Sequence, residues 1–181
     1  MCAVATYRKS SHSVYQLHYH FVFSTKYRKP ALKGTIGEKV RDLIREICKA
    51  LEIDILRGHV RPDHVHLLLT PAQDVTLERC AQFIKGAYSH ELGTLIGRNS
   101  EIWQRGFTDH RIRDPRDFSH HQNYVHQNPV IAGLVLTASE YRYSSAYPGF
   151  KLDPWPPAAK AASVPASATG TSGTRALPGS L

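Results

Sequence analysis

The stretch Pro62-Asp63-His64-Val65-His66-Leu67-Leu68-Leu69 constrains this chain more than any other. In a strand, side chains alternate faces, so His64 and His66 point the same way, roughly 6–7 Å apart. The run beyond His66 is apolar on both faces. That is the pattern of a strand covered on both sides whose polar groups sit at one end. Two imidazoles at this spacing can share one metal ion, or they can be two satisfied core histidines. The pair alone leaves both readings open.

The neighbouring segments say what sheet this strand joins. From Val14 to Ser24 the residues Leu17, Tyr19, Phe21 and Phe23 alternate with Gln16, His18, His20 and Val22, which predicts a half-buried strand. His18 and His20 form a second His-x-His, which could face the same site as the first pair or face solvent; a solvent-facing or base-contacting role ranks above metal ligation. Ile36 to Leu51 is a helix, with Ile36, Val40, Leu43, Ile44, Ile47 and Leu51 at three- and four-residue steps. Ile53 to His59 is a short strand, and Arg61-Pro62-Asp63 turns it into a hairpin with the histidine strand. A second helix runs from Thr76 to about Ile96, stopped by Gly97. Ile102 to Arg113 reads as an irregular strand, with Trp103 as a core or loop anchor. Asp114 caps a third helix with Pro115 in its first turn, and Pro129 ends that helix at Asn128. A short helical piece, Ile131–Val135, follows. Strand, helix, strand, strand, helix, strand and an added C-terminal helix make an α+β fold. Its plan is a ferredoxin-like antiparallel sheet with helices on one face. The open face is a common nucleic-acid platform.

The formal net charge is +8 over 181 residues, which favours a polyanionic partner, nucleic acid first. No apolar run approaches the roughly 18–20 residues that span a bilayer, so no membrane role is expected. Residues 1–13 read as a flexible basic lead without the apolar core of a secretory signal. Three scattered cysteines form no Cys-x-x-Cys pair, which speaks against a zinc ribbon or a disulfide framework and suits a reducing cytoplasm. Residues 14–150 form the folded domain. Residues 151–181, rich in Pro, Ala and Ser, lack an apolar period and should be disordered.

Chemistry enters with the third helix. Tyr124 and Asn128 are four apart and share a face, joined by His121. A tyrosine hydroxyl is a competent covalent nucleophile once positioned, and a metal on two imidazoles keeps positions open for phosphate oxygens. Lys26, Tyr27, Arg28 and Lys29 form a basic loop with an aromatic that could stack on a base. Arg105, Arg111 and Arg113 are further candidate phosphate contacts. Asp63 either orients a histidine or shapes the turn, and the turn is the simpler role.

Taken together, Asp63-His64-Val65-His66-Leu67-Leu68, Trp103-Gln104-Arg105-Gly106-Phe107 and Tyr124-Val125-His126-Gln127-Asn128-Pro129-Val130 resemble the single-tyrosine HUH transposases. The closest subgroup is the REP-associated tyrosine transposases. The likeness spans roughly residues 14–150 in the right order. It implies that His64 and His66 bind Mg2+ or Mn2+ and that Asn128 is the third ligand. It also implies that Tyr124 forms a 5′-phosphotyrosine link to single-stranded DNA with hairpin or inverted-repeat structure. Mg2+ prefers oxygen ligands, so DNA and water oxygens must complete its shell. The resemblance admits both a monomer and a homodimer that exchanges the tyrosine helix, acting in a bacterial cytoplasm. Two rivals remain: a non-catalytic hairpin-binding relative on the same fold, and a zinc hydrolase, for which Leu67 to Thr70 supply no further ligand.

Overall fold

The computed structural model describes residues 8–9, 14–15, 17–72, 75–86, 101–150 and 152–153. A two-stranded ladder pairs β1 (Arg8–Lys9) with β2 (Val14–Tyr15). The main sheet is built from β3 (His18–Ser24), β4 (Asp54–Val60), β5 (His64–Thr70) and β6 (Thr108–Ile112). Its strand order is β4-β5-β3-β6, antiparallel throughout. Among the described residues three α-helices accompany the sheet: α1 (Gly34–Ala50), α2 (Leu77–Gly86) and α3 (Pro115–Ile131). The ferredoxin-like expectation holds.

Every residue of β5 is buried. The two-residue period sorts them. Val65, Leu67 and Leu69 join Phe21 and Phe23 of β3 in the core formed with Val40, Ile44 and Cys48 of α1 and Cys80, Ala81 and Ile84 of α2. On the opposite face Leu68 packs with Leu56, Ile112, Phe118 and Val125, the last two on α3. The sheet face expected to be open is therefore partly covered by α3. Each buried Leu, Val or Phe in these layers contributes about 1.5–3 kcal/mol against full exposure.

Gly58 makes the β4–β5 approach possible. It lies opposite Leu67, and a Cβ there would stand 2.8 Å from Leu67 Cδ2 and 3.0 Å from His66 O. The next register pair is His59 with His66. Trp103 is the anchor expected, 7% exposed, bridged to Thr25 and edge-on to Phe23 at 4.9 Å.

Two boundaries differ from those expected, and one falls outside the described residues. α2 is described only to Gly86, and the rest of its expected span, to Ile96, lies outside the described residues, as does the 154–181 tail. α3 does not stop before Pro129 but passes through it to Ile131. Proline costs that turn one N–H bond, yet Ala132 N donates to Asn128 O and Leu134 N to Pro129 O, so the last turn closes around it. No separate helix forms over 131–135; a single 3-10 turn, Ala138–Glu140, follows instead. Gly133 leaves the helix at φ +67, a left-handed backbone that suits glycine.

Candidate active site

α3 starts at Asp114, whose carboxylate accepts from Arg116 N and Asp117 N. This is the predicted cap. Phe118 and Val125 then hold it to the sheet face that carries His64 and His66. Tyr124, beside Val125, is left at the edge of the contact and 42% exposed. Its ring centroid lies 5.7 Å from that of His66 and 5.8 Å from that of His20. The tyrosine helix thus docks on its own chain's strands.

His66 is 5% exposed and sits at the centre of an imidazole cluster. It stacks on His59 at 4.6 Å and on His20 at 5.2 Å, and meets His64 edge-on at 4.9 Å. His66 Nδ1 shares a 2.9 Å hydrogen bond with His20 Nε2. His64 Nδ1 lies 2.6 Å from Asp63 Oδ1 and 3.3 Å from Arg28 Nη2, and Arg28 also grips Asp63 Oδ2. Both Nδ1 atoms are thus committed, and among the described residues no side chain engages either Nε2. Partners on one ring nitrogen fix which nitrogen faces a metal. Asn128, a turn beyond Tyr124, accepts at Oδ1 from Arg61 Nη1, 2.9 Å away, and that oxygen has a second lone pair. Neutral imidazole nitrogens and an amide oxygen are ligand types that divalent cations take.

Burial keeps the cluster neutral. It pushes His20 down to about 4 and His59 to about 3, and drives His66 well below the usual imidazole range. His64 is lowered too, chiefly by burial, against the pull of Asp63. Neutral imidazole is the form that binds metal. His59 faces Asn128 without a well-formed hydrogen bond, both of its ring nitrogens being buried and unpaired.

The candidate DNA contacts scatter around this centre. Lys26 is bound to Glu101 at 2.6 Å. Tyr27 is 75% exposed, with the Lys26 and Lys29 ammoniums each 5.7 Å from its ring. Tyr27 and Arg28 have φ of 57° and 50°, left-handed values that cost non-glycine residues roughly 1–2 kcal/mol each. Thr25 braces that turn by donating through Oγ1 to Lys29 O and Asp63 O. Arg28 reaches the histidine site. Arg105 is exposed and 3.8 Å from Glu101. Arg111 and Arg113 are exposed, and strand alternation points Arg111 away from the face that His110 shares with α3.

Two neighbours of the pair, His59 and Arg61, escaped the sequence reading, and two others, His20 and Asp63, take the role it ranked second. His20 does not face solvent but hydrogen-bonds His66. His59 stacks on it from β4. Arg61 holds Asn128. Asp63 orients His64 rather than only shaping the turn. The one available signal was histidine recurring in adjacent strands.

Residues 13–128 match the family model described as Transposase IS200 like. The chain belongs to that transposase family. This IS200-like transposase is 29% identical over 126 residues to the REP-associated tyrosine transposase of Escherichia coli K12, covering 69% of the chain and 73% of that relative. It is 32% identical over 85 residues to the ISDra2 transposase TnpA of Deinococcus radiodurans, covering 47% of the chain and 61% of that relative. Among solved structures it is similar to a REP-associated tyrosine transposase bound to a REP hairpin. The TM-score is 0.60 and the identity 26%, over 75% of this chain and 82% of that one.

Proposed function

We propose that this transposase cleaves and rejoins single-stranded, hairpin-forming DNA through a 5′-phosphotyrosine on Tyr124. The observation that carries the reading is Tyr124 placed over the His20–His66 pair while the Nε2 atoms of His64 and His66 stay uncommitted. The solved relative in complex with a REP hairpin supports the substrate class.

His64, His66 and Asn128 would hold Mg2+ or Mn2+, which when bound polarises the scissile phosphate. The Tyr124 hydroxyl attacks phosphorus and gives its proton to water. The P–O3′ bond breaks and a 3′-hydroxyl leaves. The phosphodiester energy is kept in the tyrosine ester, so a second 3′-hydroxyl can displace Tyr124 without ATP. Arg28 and Arg61 bring positive charge beside the histidines. Lys26, Tyr27, Lys29, Arg105, Arg111 and Arg113 are the exposed or rim groups offered to DNA. One chain supplies the tyrosine and both histidines, so the site needs no helix exchange. Among the described residues no helix is long and apolar enough to cross a membrane, and a chromosomal DNA substrate in a bacterium implies the cytoplasm.

The test is incubation with hairpin single-stranded DNA and Mn2+, followed by a denaturing gel. Wild type forms a covalent adduct. Tyr124→Phe binds the DNA but forms none, and His64→Ala loses metal-dependent cleavage. An adduct with Tyr124→Phe contradicts the assignment. Tight hairpin binding with no cleavage by wild type in either metal supports the non-catalytic relative instead.

A further inference from the structure

Beyond the histidines beside Tyr124, a second donor set lies at the start of α3. His110, on β6, places Nε2 3.0 Å from Asp117 Oδ2. His121, one turn after Asp117, places Nδ1 3.0 Å from Oδ1. One ligating atom from each of the three residues falls within 4.8 Å of the other two. The imidazoles are stacked, 4.4 Å apart at 18°, so both rings aim their nitrogens at one carboxylate. None of the three is fully buried, with side-chain exposures of 43%, 19% and 15% for His110, Asp117 and His121. An ion in solution can reach them.

We propose that His110, Asp117 and His121 form a second metal site, selective for a borderline transition-metal ion such as Zn2+, Co2+ or Ni2+. Two imidazole nitrogens and one carboxylate oxygen are the ligand types these ions take, whereas Mg2+ prefers oxygen alone. The size also fits. A tetrahedral ion with bonds of roughly 2.0–2.1 Å has ligand–ligand edges of about 3.3 Å; each nitrogen already lies 3.0 Å from one Asp117 oxygen, His110 from Oδ2 and His121 from Oδ1, and the three ligating atoms lie within 4.8 Å of one another. Binding needs each ring in the tautomer that carries its proton on the other nitrogen, so that Nε2 of His110 and Nδ1 of His121 present lone pairs to the ion. His121 Nδ1 gives up its contact with Asp117 O, while Arg113 N keeps donating to Asp117 Oδ2. The ion would tie β6 to the first two turns of α3, one turn before Tyr124. His121 also packs on His20 at 5.1 Å, so this tie reaches the wall of the tyrosine site.

The site is independent of the catalytic reading, and its test is kept separate. Tag-free, metal-stripped full chain carrying His64→Ala and His66→Ala is titrated with Co2+. The site predicts one bound equivalent, visible d–d absorption and a rise in Tm of several degrees. Adding His110→Ala or Asp117→Asn removes all three. If the double variant melts too low to use, the wild type is titrated instead, and His110→Ala lowers its Co2+ stoichiometry by one. No Co2+ bound, or the same stoichiometry after His110→Ala, overturns the proposal.

Discussion

His20 and His66 share a 2.9 Å hydrogen bond between Nε2 and Nδ1 on the sheet face beneath the tyrosine helix. The bond decides which nitrogen His66 offers. With Nδ1 occupied by His20, Nε2 is the nitrogen His66 can offer, and burial keeps both rings neutral. His20→Ala is expected to weaken Mn2+ binding about 10–100-fold, read by calorimetry, with partial rescue by His20→Asn. Unchanged Mn2+ affinity in His20→Ala would show that the bond does not orient His66.

Arg61 sets a second balance. Its Nη1 donates to Asn128 Oδ1, and its charge disfavours positive charge on His59, His64 and His66. Arg61→Met should tighten Mn2+ binding several-fold, because a cation is no longer repelled. It should also lower the rate of DNA cleavage, because phosphate loses a positive neighbour. Mn2+ affinity that stays the same or falls would remove Arg61 from this role.

The buried imidazoles make stability depend on pH. His20 at about 4 and His59 at about 3 lie below the roughly 6.5 of an unfolded histidine. A folded value depressed in this way gives stability that is complete above pH ~6.5 and is lost as pH falls toward the folded values. Metal-free protein should show Tm falling steadily from pH 6.5 to 4. His59→Leu should flatten that slope. A Tm independent of pH across this window would mean that these rings are not held neutral.

Docking of α3 rests on few apolar contacts. Leu56, Leu68 and Val125 are each no more than 1% exposed in the small cluster that holds the helix. Leu56→Ala should cost about 2–5 kcal/mol of stability, measured by urea unfolding. It should also slow adduct formation by loosening Tyr124 over His66. A loss below ~1 kcal/mol would place the anchoring of α3 elsewhere.

The helices and strands were legible because their apolar periods are regular. β5 shows a continuous apolar run, α1 a clean stripe, and α3 a cap with proline in its first turn. His64, His66, Tyr124 and Asn128 could be grouped through the resemblance to known transposases. Their surroundings could not. His20 and His59 reach His66 through cross-strand register, which a one-residue slip would reverse. Arg61 and Asn128 are 67 residues apart in sequence, and no local pattern joins them. The path of α3 through Pro129 was also hidden, because bonds to residues beyond the proline close that turn.

The most direct measurement is peptide mapping of the protein–DNA adduct formed with hairpin single-stranded DNA and Mn2+. The predicted result is a nucleotide mass on the peptide carrying Tyr124, attached through the phenolic oxygen and absent when Mn2+ is withheld. Attachment to Tyr27, Tyr141 or any other residue would contradict the account.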